Sequence, residues 1–300
     1  MKSKFTLFIC LTISFIACNN NLDKSSTLIE IYELFEKEEY KQAHLLSNKL
    51  INKYPDYDSA YVARGIANSL LYPKKIELSI IDFSKAIDIN FKNLDAFFYR
   101  AMAYQINNDF ESAIKDFSHI IKLGQSEQYC NALYERALIY DYLDQPDNAI
   151  SDMKDILVID STDCEVISGI GVLYYAKKEE KEKGLIYFNK AIKMCPERAD
   201  GYFKRGVFYE NYEMFEEALS DYNKAISLTQ EYDTYYMYRG LLYSSIGQVE
   251  KALNDLNKAI ELNPNNGIAY ENRGYIKKLK LNDLKGAEKD FEKAKELGIN

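Results

Sequence analysis

Two kinds of charged residue recur along the chain at nearly fixed intervals. Arginines stand at Arg64, Arg100, Arg136, Arg205, Arg239 and Arg273, and aspartates at Asp82, Asp116, Asp152, Asp221, Asp255 and Asp290. A guanidinium is a fork of N–H donors that fits a carboxylate or a phosphate through two parallel bonds. Six in a column could grip a polyanion, or each could pair with an aspartate. The aspartates match the arginines one for one, which would neutralise a polyanion site. The two series are also absent together: Glu30 and Leu46 stand at the equivalent places near the start, and Ile170 and Tyr187 near the middle. Pairing each aspartate with the following arginine breaks this agreement. The expectation is a set of structural ion pairs; the alternative is two columns of shared ancestry that never touch.

Other chemistry is sparse. The two histidines, His44 and His119, have no metal-ligand spacing between them. No nucleophile motif, glycine-rich phosphate loop or Cys-x-x-Cys pair occurs. The many carboxylates are those of solvated helix faces. No active site, metal or cofactor is expected, and no small-molecule substrate. A formal net charge of -8 and a pI near 5.1 argue against nucleic acid, whose phosphates are bound by clustered Lys and Arg. The same charge argues against adhesion to anionic lipid by charge alone.

The N-terminus is of another kind. "MKSKFTLFICLTISFIAC" has two lysines, an apolar run from Phe5 to Ile16, and a small residue before Cys18. This is the layout of a secretory signal peptide, and the run is too short for a membrane-spanning helix, which needs about 20 residues. The ending "FIAC" resembles the bacterial lipobox, with Phe15 where Leu is usual. That resemblance implies cleavage after Ala17 (residues 1–17 as signal peptide) and lipid attachment to Cys18. Cys10, inside the apolar run, fits poorly; the alternative is an ordinary signal peptide. Residues 18–26 then read as lipidated terminus and polar tether, and several acyl chains hold far better than one. Asn19 after the cysteine favours the outer membrane over the inner. The body would face the periplasm or cell exterior.

The elements that position the charged columns form a repeat. "YRGLLYSSIGQVEKALNDLNKAIELNP" at Tyr238–Pro264 nearly restates "KRGVFYENYEMFEEALSDYNKAISLTQ". Aligning on the glycine gives Ile31, Gly65, Ala101, Ala137, Gly171, Gly206, Gly240 and Gly274, spaced by 34 to 36 residues. Ala43, Ser79, Ala113, Ala149, Gly184, Ala218, Ala252 and Ala287 form a second ruler. Leu50, Ala86, Ile120, Ile156, Ala191, Ala225, Ala259 and Ala294 form a third. Small residues at such spacing let two antiparallel helices approach closely. Bulky neighbours such as Tyr202, Tyr209 and Tyr222 fill the space beside them, which accounts for much of the tyrosine excess as core. Pro55, Pro196 and Pro264 stop helices.

This pattern resembles the tetratricopeptide repeat, a helix-turn-helix unit. The resemblance covers residues 27–300 as one all-α solenoid of eight units, the first degenerate. It implies a right-handed superhelix whose hollow side is lined by the first helix of each unit. Carried over residue by residue, the lining positions are Val62, Ile66, Phe98, Met102, Tyr134, Leu138, Val172, Phe203, Val207, Met237 and Leu241. The Lys and Asn of a carboxylate clamp are absent there. The apolar column suits an adaptable groove for a protein or peptide; the alternative is shielding by neighbouring units. Asp95, Asp141, Glu165, Asp200 and Glu210 at the rim would favour a basic partner. Cys130 and Cys164 open first helices of adjacent units, about 8–10 Å apart and beyond disulfide reach. Cys164 starts and Cys195 ends the helices of one unit, so a bond there is open to an exported chain, the alternative being three buried thiols. The function expected is that of a lipid-anchored envelope scaffold, with an assembly factor or co-chaperone for envelope proteins as the alternative.

Overall fold

The computed structural model describes residues 22–124 and 128–299. The expected signal peptide and Cys18 lie outside the described residues. So do residues 125–127, between the third and fourth repeat units. The chain divides into two compact units, residues 1–155 and 156–300. The first holds α1 (Leu22–Glu36) and α2 (Tyr40–Lys53), α3 (Asp58–Leu71) and α4 (Glu77–Ile89), α5 (Leu94–Ile106) and α6 (Phe110–Lys122), then α7 (Tyr129–Tyr142) and most of α8 (Pro146–Ile159). The second holds α9 (Cys164–Ala176) and α10 (Lys181–Met194), α11 (Ala199–Asn211) and α12 (Phe215–Leu228), α13 (Asp233–Ser245) and α14 (Val249–Leu262), α15 (Gly267–Lys280) and α16 (Leu284–Glu296). No strand occurs among the described residues. The fold is all-α and of the solenoid class, built from helix pairs. Within the first unit α1 packs on α2 and α3, and α3 on α5; within the second α9 packs on α11, and α13 on α15. Contacts of this nearest-neighbour kind make stability a sum over pairs.

The small-residue rulers explain the pairing. Ala43, Ala86, Ala113, Ala218, Ala225, Ala252 and Ala259 are fully buried where two helices meet. Gly206 faces Tyr222 so closely that an added Cβ would lie 2.7 Å from the ring. Phe83, Phe117, Phe188 and Tyr222 fill equivalent places and are fully buried. Each contributes about 1.5–3 kcal/mol by leaving water. The turn inside a pair also repeats: Glu38, Asn108, Asp144, Glu213 and Gly247 all have positive φ, from 57 to 80°. Such a residue reverses the chain within a few positions, and glycine takes it without strain. The second pair uses a 3-10 turn at Pro73–Lys75 in its place.

One boundary differs from the sequence expectation. Residues 22–26, expected as tether, begin α1. Buried Ile31 and Phe35 anchor that helix, and extending a formed helix upstream adds one bond for each residue fixed.

Candidate functional site

Each arginine of the column is held by three bonds. Its Nε donates to one aspartate oxygen at 2.7–2.9 Å and its Nη2 to the other at 2.5–2.9 Å, for Arg64–Asp82, Arg100–Asp116, Arg136–Asp152, Arg205–Asp221, Arg239–Asp255 and Arg273–Asp290. The aspartates are buried. The remaining Nη1 reaches back to the preceding pair, donating to Asn48, Ser84, Ser118, Asn189, Asn223 and Asn257 at 2.6–3.1 Å. Each guanidinium therefore ties its own pair together and joins it to the one before. The acceptor column escaped sequence reasoning, although its signal is plain: Ser84, Ser118, Asn223 and Asn257 each stand two residues after an aspartate. For Arg64 and Arg205 the aspartate's hydrogen bonds are the largest influence and push the guanidinium pKa further up. Three of the five N–H donors of each guanidinium are engaged in this way, and a buried carboxylate balances its charge.

The tyrosines do more than fill core. Arg205 lies between the rings of Tyr202 and Tyr209, and Arg239 between Tyr236 and Tyr243; Arg100 lies between Phe97 and Tyr104, at 5.5–5.9 Å from the ring centres. Residues three before and four after share a helix face with the arginine, so the rings form a cation–π shelf. Tyr202 and Tyr209 are half-buried rather than core. Tyr222 is the core member, and its hydroxyl donates to Glu210 at 2.5 Å. Burial raises both its pKa and that of Glu210.

The expected hollow-face column is graded from buried to open. Val62, Ile66, Phe98 and Met237 are buried, at 1–8 % exposure, and present nothing to a partner. For these four the shielding alternative holds, because neighbouring first helices pack against one another there. Met102, Tyr134, Leu138, Val172, Phe203, Val207 and Leu241 are half-buried. The stripe reaches solvent one turn further along. Ile106, four residues after Met102, is 43 % exposed, and Tyr142, four after Leu138, is 71 % exposed. In α9, α11 and α13 the equivalent residues are Ala176, Asn211 and Ser245, so only α5 and α7 carry the apolar stripe out to water in this stretch.

A cleft of about 480 Å³ opens beside those ends, lined by Asn108, Asp109, Phe110, Glu111, Ile114 and Leu143. The Phe110 and Tyr142 rings are 4.8 Å apart, so Tyr142 borders it. Its floor is apolar and its rim carries two carboxylates. Asp109 also caps α6, accepting from the Ser112 amide. A second cleft, of about 290 Å³, has a polar floor that includes His44, Asn48, Arg64 and Asp82. Burial, then Arg64, lowers the His44 pKa. Asp82 already accepts from Arg64 and Asn68, which leaves it engaged rather than poised to orient His44 as a base. The expected acidic rim is largely engaged as well. Glu165 meets Arg198 at 3.6 Å, Asp200 meets Lys204 at 2.8 Å, Glu210 takes the Tyr222 hydroxyl, and Asp95 takes Gln128. Among the described residues no group of three metal-binding side chains comes together, and no helix is long and apolar enough to cross a membrane. Cys164 and Cys195 are joined by a disulfide with Cα atoms 6.3 Å apart, and Cys130 is half-buried.

Models of the tetratricopeptide repeat match residues 199–232 and 234–266. Those two segments are the α11–α12 and α13–α14 pairs. No curated protein sequence matches the chain. Among solved structures, yeast Tom70 is similar with 18% identity and a TM-score of 0.72; the match covers 96% of this chain and 63% of that one. A tetratricopeptide repeat protein from Parabacteroides merdae matches at 19% identity and a TM-score of 0.65, covering 88% and 98%. Cut9, in the structure of the APC/C hetero-tetramer Cut9–Hcn1, matches at 18% identity and a TM-score of 0.57, covering 83% and 48%. At these identities the likeness is one of fold.

Proposed function

We propose that this chain is an exported, lipid-anchored scaffold that holds a protein or peptide partner at the open ends of α5 and α7. The fold is one suited to protein–protein interaction, and the arginines and aspartates that could have done ionic chemistry are consumed in holding helix pairs together. The observation that carries the reading is the apolar stripe Met102–Ile106 and Leu138–Tyr142, emerging beside the cleft floored by Phe110, Ile114 and Leu143. Large exposed apolar side chains bordering a cleft are where a partner gains most by excluding water. Asp109 and Glu111 at the rim suit a segment that carries Lys or Arg beside its apolar residues.

Crosslinking in the native envelope, with identification of the captured proteins, tests the site. Ile106→Asp and Tyr142→Asp are expected to lose a set of captured proteins that Val158→Asp, at an 83 % exposed position elsewhere, retains. Equal capture by all three variants removes the site. Cys18→Ser is expected to release the chain from sedimented membranes; undiminished sedimentation removes the anchor.

A further inference from the structure

We propose that the solvent face of α15 receives α1 of a second copy of the chain, so that copies associate head to tail. The inference stands independently of the partner site at α5 and α7.

The last pair departs from its neighbours on one face. Ile268, Tyr275 and Leu279 are 46, 48 and 70 % exposed. Spaced by seven and four residues, they fall on a single helical stripe. That stripe lies opposite the buried Gly267, Ala269, Gly274 and Ile276. In α11 and α13 the residues equivalent to Ile268 and Leu279 are Asp200 and Asn211, then Thr234 and Ser245. Within the second unit the exposed Ile268, Tyr275 and Leu279 are thus particular to α15. In the first unit Ile106 and Tyr142, at the place equivalent to Leu279, are also apolar and exposed, but Asp95 and Asn131 stand where α15 has Ile268. The second helix of the pair is finished differently: α16 has exposed Glu288 and Lys295 where α14 has half-buried Leu253 and Ile260. Charge closes one helix of the pair to further packing and leaves the other apolar.

Charge selects the occupant. Lys278 and Lys280, which flank Leu279 in sequence, are exposed, as is Lys285 at the start of α16, in a chain whose formal net charge is -8; half-buried Glu271 is the acidic residue on the same side of α15. The exposed side of α1 is the reciprocal surface. Ile29, 44 % exposed, stands beside exposed Glu30, Glu33 and Glu36, with Lys37 as the neighbouring exposed cation. Ile29 and Glu33, and Glu33 and Glu36, share a face at helical spacing. First helices already pack on first helices within each unit, as α1 does on α3 and α13 on α15. A first helix from a second copy therefore meets α15 in an arrangement the fold repeats. Such a contact joins two different surfaces, so a single contact leaves an α1 face free on one copy and an α15 face free on the other, each able to take a further copy.

The test uses the full chain purified in detergent. Sedimentation velocity over a concentration series is expected to show reversible growth beyond monomer that high salt weakens, as screened charge requires. Leu279→Glu is expected to weaken association about tenfold. Lys278→Glu and Glu33→Lys each weaken it, and the two in one chain restore part of the loss, because the pair is reversed rather than removed. A covalent version reads the register. Ile29→Cys chains mixed with Leu279→Cys chains are expected to give a disulfide-linked dimer, and one chain carrying both substitutions a ladder of multimers. A monomer at every concentration, from chains whose circular dichroism shows intact helices, overturns the proposal. So does a double-cysteine chain that crosslinks only within itself.

Discussion

The α9–α10 pair and the α11–α12 pair share a repeat pattern and are held by different chemistry. In α11–α12, Arg205 spans Asp221 and Asn189 and lies between two tyrosine rings. In α9–α10 the arginine is replaced by fully buried Ile170, and the aspartate by Tyr187, whose ring stacks on Tyr174 at 5.5 Å. Two glycines face each other there: a Cβ on Gly184 would lie 3.1 Å from the Gly171 carbonyl oxygen, and one on Gly171 3.2 Å from that of Gly184. The disulfide ties the start of α9 to the residue after α10. One pair thus relies on a nearly buried ion pair, the other on apolar contact, close backbone approach and a covalent link. The lesson is that the ion pair is replaceable as a unit. A buried charge pair exchanged for well-packed apolar groups is often neutral in stability, whereas removing one member strands the other.

The largest expected effect breaks the α9–α10 side of the comparison. Cys195→Ser opens a loop of 31 residues in sequence. Loop-closure entropy puts the loss at about 3–4 kcal/mol. Denaturant unfolding of the oxidised and reduced chain measures it. Reduction of the unsubstituted chain is expected to reproduce the Cys195→Ser value, and hydrogen exchange is expected to rise first in α9 and α10. Equal stability of oxidised and reduced chains would show that packing alone holds this pair.

A somewhat smaller effect is expected on the α11–α12 side. Asp221→Ala leaves the Arg205 side chain, 20 % exposed, with one of its three hydrogen bonds, that to Asn189. A stranded buried charge costs about 3–5 kcal/mol, and the partial exposure puts this case at the low end. Arg205→Ile with Asp221→Tyr, which writes the α9–α10 solution into α11–α12 beside Tyr209, is expected to recover most of the loss. If the double variant is as unstable as Asp221→Ala, the two solutions are not interchangeable, and the conclusion that the pair acts as a unit fails.

Much of this arrangement is legible in sequence, and what is not has a common physical cause. The rulers of small residues locate the helix pairs because close approach is a steric demand that one residue type satisfies locally. The Arg64–Asp82 series is legible because both members sit in one pair and vanish together at Ile170 and Tyr187. The acceptors Asn48 and Asn189 are harder to read: they belong to pairs that lack the aspartate and serve the arginine of the next pair. The grading from Phe98 through Met102 to Ile106 is illegible, since it depends on where the next first helix crosses rather than on residue type. For the same reason Val62 and Tyr142, both apolar on equivalent stripes, end up buried and open respectively. The start of α1 inside a polar segment is set by Ile31 and Phe35 downstream, beyond the reach of local composition.

The smallest effect separates two members of the aspartate column itself. Burial raises the Asp152 pKa, and the bonds from Arg136 only partly offset it, with Asp155 adding repulsion. Burial acts on Asp290 in the same direction, but bonds from Arg273 and from Lys277, at 2.8 Å, outweigh it, and the pKa falls below the ordinary carboxylate range. The signs in stability are opposite. A carboxyl with a lowered folded pKa contributes stability that is present above the unfolded value and lost as pH falls through the folded one. A carboxyl with a raised folded pKa takes up its proton in the folded state first, which favours folding as pH falls through that raised value. Asp290→Asn is therefore expected to flatten the acid loss of melting temperature, and Asp152→Asn to steepen it. Melting curves from neutral pH down through the carboxylate range decide the matter. Shifts of the same sign in both variants would mean that Lys277 does not distinguish the last pair, and that burial alone governs the column.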